Sequence, residues 1–155
     1  MNPRVNTFGC NCRNKANCPL QNKCLTPNVI YEAEVRNDSN DEIKRYIGAS
    51  ETPFKLRYSN HVKDFKHKKY VKNTELSKYI WLLKDDEIVP TVTWKLLKKV
   101  NSKARSNYCK LCLNEKLFII NSLSDTNLLN KKSEFVNGCR HQNKLLIKSV
   151  KNIVG

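Results

Sequence analysis

The chain has 155 residues, 39% of them hydrophobic, enough for one compact domain with a core and too few for two large ones. Its 29 Lys and Arg against 14 Asp and Glu leave a formal charge of +15, which no fold requires and which points to a polyanionic partner, nucleic acid before an anionic membrane. No apolar run approaches about 18 residues, and MNPRVNTFGC holds no apolar signal segment, which sets aside a membrane span and secretion and predicts an intracellular chain.

Three segments are expected: a Cys-rich stretch over 1–27, a mixed α/β body over 28–130, and a piece over 131–155 that carries the last Cys and His and a basic tail. Val29 to Val35 alternates β-branched and aromatic residues with polar ones and reads as a strand. Asn37 to Asp41 is turn chemistry, and Ile43 to Gly48 a second strand, which together predict an antiparallel hairpin. Gly48 marks a close approach to substrate or a sharp turn into the next helix. That helix opens at Thr52-Pro53 and runs to about Lys68, with Phe54, Tyr58, Val62 and Phe65 along one side. A second helix follows Thr74, with Leu76, Tyr79, Ile80 and Leu83 at helical spacing. Val92 to Leu96 reads as a third strand, and Cys109 to Leu123 as a third helix with Leu113, Leu117 and Ile120 facing the core. The expected fold class is α+β: a small three-stranded antiparallel sheet flanked by helices, in the order β-β-α-α-β-α.

Seven cysteines in short pairs within an intracellular chain favour zinc over disulfides. With His141 they make eight ligands, enough for two tetrahedral structural sites. One grouping is Cys10, Cys12, Cys18 and Cys24; the other is Cys109, Cys112, Cys139 and His141. Cys18 and Cys24 also have alternative partners in His61 and His67, or in Cys109 and Cys112. Buried free thiols are the plain structural alternative. Between Lys55 and Lys72 the chain holds seven Lys and Arg, one acid and interleaved tyrosines. Lys55, Arg57, Lys63, Lys66, Lys68 and Lys69 form the expected phosphate-contacting surface, with a solvated face as the alternative.

Val29-Ile30-Tyr31 opens the first strand and Tyr46-Ile47-Gly48 closes the second. Arg57 follows Gly48 by nine residues, and His61 lies one helical turn further on the same face. Glu115 lies in the third helix, and Asn130 follows it by fifteen residues. This ordered set resembles the GIY-YIG nuclease superfamily, with Val29 in place of the first glycine. The longer segments CNCRNKANCPLQNKCLTPNVIY, TELSKYIWLLKD, CKLCLNEKLFI and LLNKKSEFVNGCRHQNK resemble one branch of it, the endonuclease domain of Penelope-like retroelements.

The resemblance implies metal-dependent hydrolysis of DNA in the nucleus, with the nick priming reverse transcription. It implies DNA as partner, and a reverse transcriptase domain or element RNA in the full-length protein. Glu115 would hold Mg²⁺ or Mn²⁺, Arg57 the scissile phosphate, and Asn130 would orient the site. Tyr31 would activate the water, assisted by Tyr46 or His61, with Arg57 and the metal favouring its phenolate. Each residue also has an ordinary use: tyrosines pack sheets, and Arg57, His61 and Glu115 suit a solvated helix face. Glu75 is a rival carboxylate, placed where helix starts favour acids. The competing function is a non-catalytic, zinc-dependent nucleic-acid binding module.

Overall fold

Alternation along VIYEAEVRN places Val29, Tyr31, Ala33 and Val35 on one side of a strand and Ile30 and Glu32 on the other. In the computed structural model, which describes residues 9–101 and 109–131, this segment is β1, Val29–Asn37. It pairs antiparallel with β2, Ile43–Ser50, and with β3, Pro90–Lys99, giving the order β2-β1-β3. The central strand is therefore bonded along both edges and covered on both faces, which is why even Glu32 is buried. The hairpin loop is closed by Asn37, whose Oδ1 accepts from Ser39 N at 2.9 Å and Ser39 Oγ at 2.7 Å.

Three helices complete the described fold: α1, Phe54–Lys66; α2, Glu75–Asp85; and α3, Lys110–Ser122. The Tyr31 face of the sheet shares its core with Phe54 of α1, with Leu76, Ile80 and Leu83 of α2, and with Cys18, Leu20 and Cys24. The Ile30 and Ile47 face packs against Leu111 and Ile119 of α3. No described helix is long and apolar enough to cross a membrane.

Two details depart from the sequence expectations. On α1 His61 is fully buried, as Phe54 is, whereas Val62 is half-buried, so the inward stripe is Phe54, Tyr58, His61 and Phe65. On α3 the expected core residues Leu113, Leu117 and Ile120 are 44%, 47% and 50% exposed. The helix instead turns Leu111 and Ile119, two turns apart, onto the sheet, leaving the other apolar stripe outward. An apolar stripe at helical spacing exists on both sides of this helix, and periodicity alone does not choose between them.

Pro53 precedes α1 and no side chain caps the helix. Its first N–H groups are satisfied by the Cys-rich segment: Phe54 N donates to Thr26 O at 3.1 Å and Lys55 N to Cys24 O at 2.7 Å. Lys55 Nζ reaches back to Asn11 Oδ1 at 2.6 Å. The cysteine loop and the start of α1 are thus one hydrogen-bonded unit.

The outer edge of β2 is covered by the chain after α3. Arg45 N donates to Asn127 O, Leu129 N donates to Arg45 O, and Arg45 and Leu128 form a parallel bridge. The Arg45 guanidinium bonds buried Glu32 at 2.7 Å and Asp125 at 2.5 and 3.0 Å, tying the central strand, the edge strand and this segment together.

Candidate active site

Register sets the centre of the site. Tyr31 on β1 stands opposite Gly48 on β2, and Ala33 opposite Tyr46. A Cβ on Gly48 would lie 2.5 Å from Tyr31 Cζ and nearer still to its hydroxyl. The glycine is needed because the Tyr31 ring lies across it. β2 runs on to Ser50, so Gly48 is not a turn into α1.

The hydroxyl so placed is gripped from α1. Arg57 Nε donates to Tyr31 Oη at 3.2 Å, and Tyr31 Oη lies 2.7 Å from His61 Nε2. One turn of helix separates Arg57 and His61, which brings both to the same oxygen. Arg57 is always a donor, so the arrangement that uses every proton has Tyr31 donating to His61 Nε2 and the imidazole proton on Nδ1. Nδ1 is buried with no hydrogen-bond partner among the described residues, an uncommon expense in a core and a frequent mark of a working site. Aromatic rings wall the pair: Trp94 lies 5.2 Å and Tyr46 6.1 Å from the His61 ring, centroid to centroid.

Electrostatics follow from this burial. Desolvation, then the Arg57 charge, pull the His61 imidazole down to about 3, so it is neutral at physiological pH. Burial also raises the Tyr31 phenol; Arg57 works against it and Glu115 with it. Arg57 pulls toward the phenolate as expected, but burial outweighs the cation in the free protein. For Arg57, burial works against the charged form, but Tyr31, Tyr46 and Asp64 together outweigh it and raise its pKa.

The remaining expected residues fall into place around this centre. Glu115 is half-buried on α3, and its charge is felt at Tyr31. Asn130 brackets the backbone between Tyr46 and Gly48: its Oδ1 accepts from Ile47 N at 2.7 Å and its Nδ2 donates to Ile47 O at 2.8 Å. It behaves as one more strand residue on the open edge of β2. Glu75, the rival carboxylate, pairs with Lys78 at 2.7 Å and Lys131 at 3.4 Å in the first turn of α2. Gaps in the sequence reading were Trp94, which walls His61, and Arg45 with Asp125, which secure the Asn127–Asn130 edge. Arg45 stands within the Tyr-Ile-Gly strand as an ordinary basic residue, and its acid partners lie 13 and 80 positions away.

The basic residues of the expected phosphate surface divide. Arg57 and Lys63 line a common cleft, Lys68 pairs with Asp85 at 2.8 Å, and Lys55 is turned to Asn11. Lys69 lies over the Tyr70 ring and Lys66 is exposed.

Cys10, Cys12, Cys18 and Cys24 gather with their sulfurs within 4.8 Å of one another. Cys12 and Cys24 Sγ are 3.8 Å apart. A tetrahedron with metal–sulfur bonds of about 2.3 Å has edges of about 3.8 Å, whereas a disulfide needs about 2.05 Å. Backbone N–H groups aim at sulfur, Cys12 to Cys10 and Asn22 to Cys18, each at 3.3 Å, as thiolate ligands require. The cluster can hold one zinc. His61 is committed to Tyr31, and Cys18 and Cys24 lie with Cys10 and Cys12 rather than with histidines. Cys109 is the N-cap of α3, accepting from Cys112 N at 3.5 Å. Cys139 and His141, the other half of the second expected zinc site, lie outside the described residues.

Compared with family models, curated proteins and solved structures, the chain matches none.

Two outcomes are expected. Cys24→Ser should lower zinc content by about one per chain. It should also expose the Phe54 and Lys55 amides to hydrogen exchange, because the Cys24 loop caps α1; unchanged exchange would uncouple the loop from the helix. Separately, the folded pKa of His61, about 3, lies below its ordinary 6.5. Between those values the unfolded chain binds a proton that the folded chain refuses, so stability is lost as pH falls through that window. The slope for one proton is about 1.4 kcal/mol per pH unit. Urea melts of wild type against His61→Gln should diverge below pH 6.5; parallel curves would contradict the buried neutral imidazole.

Proposed function

We propose that the chain is a metal-dependent DNA endonuclease that hydrolyses a phosphodiester bond. The observation that carries this reading is the Tyr31 hydroxyl held between Arg57 Nε and His61 Nε2, within electrostatic range of Glu115. A neutral imidazole bonded to a phenol is a proton acceptor in waiting, and a guanidinium on the same oxygen is a phosphate anchor. The +15 charge supports a polyanionic substrate, and the resemblance to GIY-YIG nucleases, above all to the Penelope-like retroelement branch, supports DNA cleavage by this set.

Tyr31 and His61 have no exposed surface, whereas Arg57 touches Tyr31 on one side and lines an open cleft on the other. A phosphodiester drawn to the Arg57 guanidinium arrives beside Tyr31. Its negative charge offsets the cation that depresses His61, so the imidazole becomes a better base as substrate binds. Once the phosphate has drawn the Arg57 side chain toward the cleft and opened Tyr31 Oη to solvent, the attacking water gives its proton to Tyr31 Oη while the Tyr31 proton passes to His61 Nε2. Water oxygen bonds to phosphorus, the bond to the 3′ oxygen breaks, and that oxygen leaves as a hydroxyl by taking a proton from solvent water, while the proton on His61 Nε2 returns to solvent through Tyr31 Oη. Glu115 would hold Mg²⁺ or Mn²⁺, and the ion would stabilise the charge on phosphorus and on the leaving oxygen. Asn130 and the Arg45 contacts hold the Tyr46 strand in register. In a Penelope-like setting the product 3′ hydroxyl would prime reverse transcription.

Supercoiled plasmid with Mg²⁺ should be nicked by the wild-type chain. Glu115→Ala and Tyr31→Phe should each slow nicking about 10²-fold or more while still binding DNA. Equal background nicking by all three, with DNA binding intact, would leave the non-catalytic binding module as the function.

A further inference from the structure

Along α1, Arg57, Asn60 and Asp64 recur at helical spacing and present one polar side. Opposite them lies the Asn73–Thr74 bend that leads into α2. Between the two is a cleft of about 330 Å³, lined by Arg57, Asn60, Lys63, Asp64, Asn73 and Thr74. Pockets for small organic ligands are mostly apolar; this one has no apolar side chain in its lining. The cavity at the far end of the sheet has two acids, Glu34 and Asp38, against the single cation Arg36, which disfavours an anion there.

The walls are fixed. Asp64 is buried, and its Oδ1 accepts from Asn73 Nδ2 at 3.0 Å, which ties the bend to the helix. Its carbonyl accepts from Trp81 Nε1 at 2.9 Å. Lys63, which lines the cleft, has its Nζ 4.6 Å from the Tyr70 ring centroid, a cation–π contact that restrains the ammonium. The start of α2 is closed by its own capping box between Thr74 and Ser77, so it supplies little of the attraction. Two cations against one acid that is already bonded leave the cleft net positive.

We propose that this cleft is a second phosphate subsite for a nucleic-acid strand, continuous with the Arg57 anchor, with Lys63 as its charged contact and Asn60 as a hydrogen-bonding contact. It rests on the nucleic-acid reading above and names the path the strand takes from the scissile phosphate. Six residues separate Arg57 from Lys63, roughly 9 Å of helix axis. Phosphates on one strand advance about 3.4 Å along the duplex axis. The Lys63 contact therefore falls on a different phosphate from the one at Arg57. Lys68, already paired with Asp85, is not part of the subsite.

The test is anisotropy of a short labelled DNA duplex, titrated at several salt concentrations with the full chain in a Glu115→Ala background that prevents cutting. Lys63→Gln should weaken binding and reduce the slope of log affinity against log salt by about 1, one phosphate contact. Lys68→Gln should leave the slope unchanged. Tyr70→Leu keeps the charge but releases it, so it should weaken binding with the slope intact. An unchanged slope in Lys63→Gln, an equal loss in Lys68→Gln, or full affinity in Tyr70→Leu overturns the subsite. Failure of the wild-type chain to nick plasmid sinks the endonuclease reading alone, because the slope comparison reads binding without cleavage.

Discussion

The ring of Tyr31 lies across Gly48, and the site is arranged around that contact. Any side chain at position 48 would occupy the space of the phenol. Removing the Cβ lets the hydroxyl sit between two strands at the depth where Arg57 and His61 meet it. Overpacking of this kind typically costs about 1–3 kcal/mol, and here the displaced group would be the one that joins the sheet to α1. Tyr-Ile-Gly ends in glycine so that the tyrosine of the neighbouring strand can be buried, polar tip included.

A buried phenol and a buried imidazole are useful only if the helix that supplies their partners does not drift. Two tethers prevent that. At one end the Cys10–Cys24 loop caps the first turn of α1 with its carbonyls, so a metal on the four thiols would stiffen the helix that carries Arg57 and His61. At the other side of the sheet, Arg45 and Asn130 hold the Tyr46 strand against the chain that follows α3. The cysteine cluster and the charged hub are remote from the hydroxyl in sequence, and each fixes one of the two elements that meet there.

Much of this was legible in the sequence. Strand periodicity gave the hairpin, and spacing gave the joint appearance of Arg57 and His61 on one helix face. The four N-terminal cysteines were one of the groupings their spacing allowed, and it is the one the fold brings together. What was not legible depends on tertiary choice. His61 fills an apolar position in the α1 stripe, which polarity scales assign to Val62. α3 has apolar residues on more than one side, and only the shape of the sheet selects Leu111 and Ile119 over Leu113, Leu117 and Ile120. The ionisation of Tyr31 turned on burial, a quantity with no local signature, which outweighs the expected pull of Arg57. Arg45 was invisible because its partners come from β1 and from a loop far along the chain.

The claim at the centre is that water attacks phosphorus and the 3′ oxygen departs, driven by the Tyr31–His61 pair. The chemistry of the product ends reads this directly. An end-labelled duplex cut by the wild-type chain with Mg²⁺ should yield a 3′ end that DNA polymerase extends at once, with phosphate left on the 5′ side. A 3′ end that polymerase extends only after phosphatase treatment would contradict the account, as would the absence of any cut strand.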